Sequence, residues 1–167
     1  TKSRVVTVNG GYIKGGANYR ANDNSNFFFN VGQIMRPPSF DGVFPNADYD
    51  FEEADEILNE SFTSFELGYG FRSSNFKGTI NAYHTVWGDR TLRRSTSIDD
   101  QGVRIIYSGV EQTHQGIEGE MTWYPSSRLR VKGMFSLGDW KYTKNFQGDA
   151  YFIDNNQPAG TTGTLYL

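Results

Sequence analysis

Gln115-Gly116-Ile117-Glu118-Gly119-Glu120-Met121-Thr122-Trp123-Tyr124, the turn Pro125-Ser126-Ser127-Arg128 and Leu129-Arg130-Val131-Lys132-Gly133-Met134-Phe135-Ser136-Leu137-Gly138 read as one long hairpin. Ile117, Gly119, Met121 and Trp123 alternate with Glu118, Glu120, Thr122 and Tyr124. After the turn, Leu129, Val131, Gly133, Phe135 and Leu137 alternate with Arg130, Lys132, Met134, Ser136 and Gly138. Period-two patterning of this length marks strands with one apolar face. On the polar face, Glu118 and Glu120 beside Arg130 and Lys132 are expected to form cross-strand charge pairs.

The same unit recurs toward the N-terminus. Leu67, Tyr69 and Phe71 stand opposite Glu66, Gly68, Gly70 and Arg72. After Ser73-Ser74-Asn75, Phe76, Gly78, Ile80 and Ala82 alternate with Lys77, Thr79, Asn81 and Tyr83. Ile13, Gly15, Ala17 and Tyr19 face away from Lys14, Gly16, Asn18 and Arg20, and a third short turn follows at Asn22-Asp23-Asn24-Ser25-Asn26. The triple Phe27-Phe28-Phe29 leaves the phase of the next strand open. Six strands are expected, over 11–20, 27–34, 62–72, 76–87, 115–124 and 129–142, with Val5 to Val8 a candidate extension of the first and Thr164 to Leu167 the start of a seventh.

The connections are unequal. Short turns close one end of each hairpin, while segments of roughly two dozen residues, such as Pro37 to Ser61, close the other and far exceed ordinary hairpin loops. Short turns on one side and long loops on the other are the layout of a transmembrane antiparallel β-barrel, with periplasmic turns and extracellular loops. The loops fall at about 36–61, 88–113 and 143–163. Strands of this length suffice to cross a bilayer at a tilt. Tyr19, Phe71, Phe76 and Trp123 sit beside the short turns, where an interfacial girdle belongs. Trp87 and Trp140 lie at the opposite ends of their strands with the parity of the polar face, so either a bulge shifts them outward or they line the rim.

Composition agrees. Hydrophobic residues make up 37% of the chain and aromatics 16%, with 19 Gly, as expected where only alternate residues meet lipid. Without a run of about 18 apolar residues there is no transmembrane helix to read. A net charge of −3 gives no basic stripe for nucleic acid. The absence of Cys removes disulfides, thiol catalysis and Cys–zinc sites. His84 and His114 lack partners at metal-binding spacing, and Gly68-Tyr69-Gly70 has no following helix to cradle phosphate, so no enzyme and no cofactor is expected. His84 lies on the apolar face near a strand end, as an interface residue would.

Phe65-Glu66-Leu67-Gly68-Tyr69-Gly70-Phe71-Arg72, Tyr83 through Trp87-Gly88-Asp89-Arg90, His114-Gln115-Gly116-Ile117-Glu118-Gly119-Glu120 and Ser136-Leu137-Gly138-Asp139-Trp140-Lys141-Tyr142, in that order, resemble the barrel of TonB-dependent receptors, particularly those of Bacteroidetes-type bacteria. Arg36-Pro37-Pro38-Ser39-Phe40-Asp41 through Val43-Phe44-Pro45-Asn46 is similar to the start of an extracellular loop in the same receptors. The resemblance implies a larger barrel in a bacterial outer membrane, a plug in its lumen and a segment that contacts TonB. Residues 1–167 would then be part of one barrel domain, from the second half of its wall. It implies energised uptake of a scarce nutrient captured by extracellular loops, with outer-membrane lipid, the plug, TonB, the imported ligand and a surface lipoprotein as partners. A complete eight-stranded barrel with a structural or adhesive role, and a soluble carbohydrate-binding β-sandwich, are the competing readings.

On that reading the loops carry the chemistry. Phe40, Phe44, Tyr49 and Phe51 stand among Asp48, Asp50, Glu52, Glu53, Asp55 and Glu56. Arg36, Phe40, Phe44 and Tyr49 are candidates to capture a ligand at the mouth, the alternative being that the aromatics pack the loop onto itself. Asp48, Asp50 and Glu52 offer hard oxygen ligands for calcium, but their spacing is not that of the twelve-residue calcium loop, and a solvated acidic loop that merely repels its neighbours accounts for them better. Between Asp89 and Thr113, arms at 91–97 and 102–107 around Asp99-Asp100 are expected to form a separate hairpin. Arg93 and Arg94, with Arg90 and Arg104, are candidates to bind carboxylates or phosphates, including those of lipopolysaccharide, or to neutralise the acidic loop. Glu66, Arg72, Glu118, Glu120, Arg130 and Lys132 are expected to face plug or water within the lumen.

Overall fold

The computed structural model describes residues 4–45, 54, 57–144 and 148–162, of which 161–162 are described by their backbone alone. Within them the chain forms β1 (Gly11–Arg20), β2 (Ser25–Arg36), a single-turn α1 (Phe40–Val43), β3 (Glu60–Arg72), β4 (Phe76–Ile98), β5 (Gln101–Ser126), β6 (Leu129–Tyr142), β7 (Gly148–Phe152) and β8 (Pro158–Thr162). All eight strands share one antiparallel sheet in the order β1-β2-β3-β4-β5, where β5 pairs β6 along its lower half and β7 along its upper half, and β7 pairs β8.

The register lines up outward side chains in rows. From the short-turn end these are Phe76–Trp123–Val131; Phe71–Gly78–Met121–Gly133; Tyr19–Phe27–Tyr69–Ile80–Gly119–Phe135; Ala17–Phe29–Leu67–Ala82–Ile117–Leu137; and Gly15–Val31–Phe65–His84–Gln115–Asp139. Leu67 is 61% exposed and Leu137 70%. Soluble sheets do not leave such a surface bare. With two residues between rows and a tilt of about 40°, the band is roughly 20–25 Å tall, the height of a hydrocarbon-facing belt. It ends at the polar chain His84 Nδ1–Gln115 Oε1 (3.2 Å), Gln115 Nε2 to Asp139 Oδ2 (3.3 Å) and Lys141 Nζ to Asp139 Oδ2 (2.9 Å). The open phase of Phe27-Phe28-Phe29 resolves here, with Phe27 and Phe29 outward and the Phe28 ring laid inward over Gly68, in the space a Cβ would take.

The short turns are tied to each other as well as to themselves. Asn24 accepts Arg72 N–H at 2.7 Å on its carbonyl and donates Nδ2 to Arg72 O at 2.6 Å, and Asn75 O accepts Tyr124 N–H at 2.8 Å. Asn22 Oδ1 takes the Asn24 N–H at 2.9 Å, the local bond that suits Asn to turns.

Several expectations need correction. β4 and β5, at 23 and 26 residues, run straight past the membrane, so the hairpin expected above Trp87 is their continuation. β7 and β8 arise where only a loop was expected. Val5 to Val8 are not strand, and Thr164 to Leu167 lie outside the described residues. The expected charge pairs are also displaced. Glu118 stands opposite Ser136 and Glu120 opposite Met134, because a hairpin pairs residues about equally far from its turn, which sets Lys132 against Thr122; the register also steps by one between Trp123 and Ser126. Trp87 and Trp140 keep regular register and so line the rim on the inner face.

Outside the membrane band lies a small core. Val103, Ile105, Tyr107 and Val110 of β5 pack with Ala150, and Leu92, Tyr142, Phe152 and Ala159 cover them. Between wall and core, the register steps at Trp87/Arg90 and steps back at Arg90/Leu92, with Asp89 (φ 56°) and Gly109 (φ 70°) in the left-handed region.

Among the described residues, β1 bonds on one edge only, to β2, and β6 only to β5. Within hydrocarbon such edges must be paired, so this sheet is wall of a larger barrel. The six membrane-crossing strands do not close on themselves, and no second sheet packs on them among the described residues.

Candidate ligand-capture site at the lumenal mouth

Inward side chains also form rows, and the uppermost are aromatic. Tyr12, Ile34, Phe62, Trp87, Gln112 and Tyr142 are successive cross-strand partners from β1 to β6, with Lys14, Gly32, Ser64, Thr85, His114 and Trp140 beneath them. Above stand Arg36, opposite Glu60, and Arg90. A β-bulge re-aims the side chains beyond it. The one at 88–89 reverses the alternation, which brings the Arg90 guanidinium 3.3 Å from the Trp87 ring centroid and its Nη1 onto Gln112 Oε1.

Glu60 organises this mouth. Only 4% exposed, it accepts Arg36 Nη2 at 2.6 Å, Arg36 Nε at 3.0 Å and Trp87 Nε1 at 3.1 Å, all on Oε2. Phe62 stacks on Trp87 with centroids 4.6 Å apart and planes at 26°. The Arg36 guanidinium lies 5.4 Å from the Phe62 centroid and 5.6 Å from that of Trp87. Cations over aromatic faces are held by the ring quadrupole, so the two arginines and two rings form a fixed stack. Burial pushes the Arg90 guanidinium below its usual value and the neighbouring Glu60 carboxylate partly restores it.

A second fixed aromatic sits one row down. Trp140 is 67% exposed, donates Nε1 to Tyr83 Oη at 3.1 Å and lies 6.0 Å from the His114 ring. Gly116 and Gly138 make this pose possible. A Cβ on Gly138 would stand 2.8 Å from Trp140 Nε1, and one on Gly116 would meet Leu137 O and the Tyr83 hydroxyl.

The residues named from the sequence are dispersed. Arg36 belongs to the mouth, with its side chain half exposed. Phe40 is exposed on α1, its ring 5.2 Å from that of Phe44, which is only 6% exposed and packs inward. Arg93 Nη1 reaches Asp41 Oδ1 at 3.5 Å, tying β4 to α1. Arg94, its neighbour on the strand, is exposed and points to the opposite face. Arg104 is buried, donating Nη2 to Asn156 Oδ1 at 2.6 Å. Tyr49, Asp48, Asp50 and Glu52 lie outside the described residues. Among the described residues, no three His, Asp or Glu side chains converge as metal ligands. Sequence reasoning missed Glu60, Phe62, Gln112 and Tyr142 as members of the mouth, and placed Arg90 among the loop arginines rather than beside Trp87. The polar-face parity of Trp87 and Trp140 was the signal that led there.

A polar inner face and an apolar outer band are what a receptor barrel presents. No curated protein and no solved structure matches the chain. A family model described as "TonB dependent receptor-like, beta-barrel" matches residues 6–165. The chain belongs to that family, and its sheet is wall of an outer-membrane receptor barrel.

Proposed function

We propose that this barrel imports a scarce nutrient, captured at its outer face and released to the periplasm with energy delivered through TonB. The observation that carries the reading is the family match over residues 6–165, on a sheet with an apolar outside and a polar inside. Residues 1–167 supply wall and loops, with outer-membrane lipid against the outward rows and a plug within the lumen. Capture falls to the mouth. The half-exposed Arg36 and the exposed ring of Phe40 meet the ligand first, with Tyr49 in the same loop as Phe40, and the exposed Arg94 offers a further cation on the face of β4 away from α1. The Arg93–Asp41 ion pair ties α1 to β4, and Phe44 is buried with its ring against Phe40.

The test uses the intact receptor in its own host. Loss of the receptor gene should abolish growth on one of a panel of iron-, haem-, glycan- or peptide-limited media. Loss of TonB or collapse of the proton-motive force should abolish the same growth. Uptake that persists without TonB would overturn the energised reading and favour a passive or adhesive barrel.

A further inference from the structure

One row beneath the mouth the wall presents an uncovered aromatic plane. The arginines above it are engaged, Arg36 by Glu60 and Arg90 by Trp87 and Gln112. The ring of Trp140 is not covered. It lies back along the wall over Gly138, where an added Cβ would stand 2.8 Å from Nε1 and 3.1 Å from Cε2. Its N–H is already donated to Tyr83 Oη, so at 67% exposure the indole offers the lumen only its face. The Tyr83 hydroxyl accepts that bond, and among the described residues nothing accepts its own proton.

Below the ring stand groups that both give and take hydrogen bonds. Glu66 accepts Asn30 Nδ2 and Asn81 Nδ2, both at 2.9 Å, and Glu118 accepts Ser136 Oγ at 3.2 Å. Each carboxylate oxygen so engaged has a further lone pair, and each amide keeps its carbonyl and a second N–H. Glu66, Asn81, Glu118 and Ser136 line one concavity of about 590 Å³, within the roughly 300–1,000 Å³ of small-molecule sites. From Ser64 to Gly68 on β3 and along the paired rows of β4 to β6, no inward position is Lys or Arg, so an anionic group finds no partner there. Among the described residues no three His, Asp or Glu side chains converge, so a compact cation has no focus either.

We propose that Trp140 and the wall beneath it form a subsite for a neutral oligosaccharide, with one pyranose ring stacked on the indole. The inference rests on the proposed uptake reading and names its substrate class. A pyranose has a face of C–H groups and a rim of hydroxyls. The C–H face suits the negative face of the indole, and hydroxyls, each donor and acceptor at once, suit Tyr83 Oη and the amide and carboxylate groups below. A flat conjugated ligand would cover the indole as well but would leave those polar groups without partners, which costs binding. Strands lie about 4.8 Å apart and rise about 3.3 Å per residue, so Ser136 and Glu66 stand roughly 13–14 Å from Trp140. That span exceeds one ring and suits a short chain of them. Gly116 and Gly138 let Tyr83 and Trp140 lie against the wall, so the platform is preformed and little ordering opposes binding.

The test takes the full-length receptor, purified in detergent, and titrates maltohexaose, cellohexaose, xylohexaose and mannohexaose by calorimetry. In parallel the host is grown, with and without TonB, on each of these and on ferric citrate, haem and casein peptides as the limiting nutrient. One hexasaccharide is expected to bind and to support TonB-dependent growth. Trp140→Ala should weaken its binding at least about tenfold, and Trp140→Phe, which keeps a ring, should recover most of that. Tyr83→Phe should weaken it about threefold to tenfold. The amount of folded, heat-modifiable barrel should be the same in all three variants. Hexasaccharide binding that Trp140→Ala leaves unchanged would overturn the inference by placing the sugar elsewhere. TonB-dependent growth on ferric citrate, haem or casein peptides, with none on the hexasaccharides, would overturn it and leave the uptake reading standing. The absence of TonB-dependent growth on every nutrient would overturn both.

Discussion

Glu60 concentrates three donors on one buried carboxylate oxygen, so Glu60→Ala strands the Trp87 indole N–H and removes the counter-charge of Arg36. Hydrogen bonds to a charged group contribute about 1.5–3 kcal/mol, and the expected loss on urea unfolding of the receptor falls in that range. Glu60→Gln keeps an acceptor for Trp87 and should lose less. Equal losses for the two would mean that the charge contributes nothing. The glycines permit a sharper contrast. Gly116→Ala drives a methyl into Leu137 O and the Tyr83 hydroxyl, whereas Gly15→Ala meets nothing within 4 Å on the outward face. The first should cost about 1–3 kcal/mol through forced backbone movement, and the second should be neutral or stabilise by up to about 1 kcal/mol through reduced chain entropy. Indistinguishable unfolding midpoints would refute the close packing around Trp140. Neither Glu60 nor Gly116 was legible as special in the sequence. A lone Glu ahead of a strand, or a Gly within alternation, shows its partner only once cross-strand register is known.

Among the elements, what could be read followed one physical rule. Where lipid meets one face and water the other, alternation is enforced, and β1 and β6 run over the expected residues. Above the membrane both faces of β5 are buried, from Val103 to Tyr107, so alternation vanishes and the segment read as an arm of a separate hairpin rather than as a continuation of the wall strand. The turn at its tip was legible through Asp99-Asp100, and both residues have positive φ (49° and 62°), as a two-residue type I′ turn between Ile98 and Gln101 demands. Asp100→Gly relieves one left-handed residue and should stabilise the outer hairpin by about 1 kcal/mol, read as slower amide exchange along 91–107. Faster exchange would contradict the turn assignment. Where this module meets the wall, Glu111 accepts Lys144 Nζ at 2.7 Å and Thr143 Oγ1 at 2.9 Å, while its carbonyl accepts the Thr143 N–H at 3.1 Å. The Lys144 hydrogen bond holds the Glu111 carboxyl below its usual value, and Glu111 raises Lys144. A lowered carboxylate value gives stability that is present above the unfolded value of about 4.3 and fades as pH falls through the folded one. A raised ammonium value gives stability that is present below about 10.4 and fades as pH rises through the folded one. The latch should therefore hold near neutrality, be worth about 0.2–1 kcal/mol for so exposed a pair, and open in acid. Protection of the Thr143 amide that does not fall on acidification, or that falls equally in Glu111→Gln, would rule it out.

For the whole molecule the decisive claim is that one face of the sheet meets lipid and the other meets water, and two adjacent residues of β4 test it. Ile80 stands in the middle outward row, between Tyr69 and Gly119, while Thr79 faces inward opposite Glu120. An arginine on the lipid face at mid-bilayer costs about 2–4 kcal/mol, so Ile80→Arg should lower folding stability in vesicles by that amount. Thr79→Arg puts a cation directly across from the Glu120 carboxylate, where opposite charges contribute about 0.2–1 kcal/mol, and should be neutral or stabilising. Backbone, strand and depth are shared, so propensity and distance from the interface cancel between the two variants. Only the direction of the side chain differs. Similar penalties for both would mean that the outward rows do not face hydrocarbon, and the soluble reading would return. A large penalty at Ile80 in lipid that vanishes in a mild detergent solution, with Thr79→Arg unaffected in either, would tie the asymmetry to the bilayer itself.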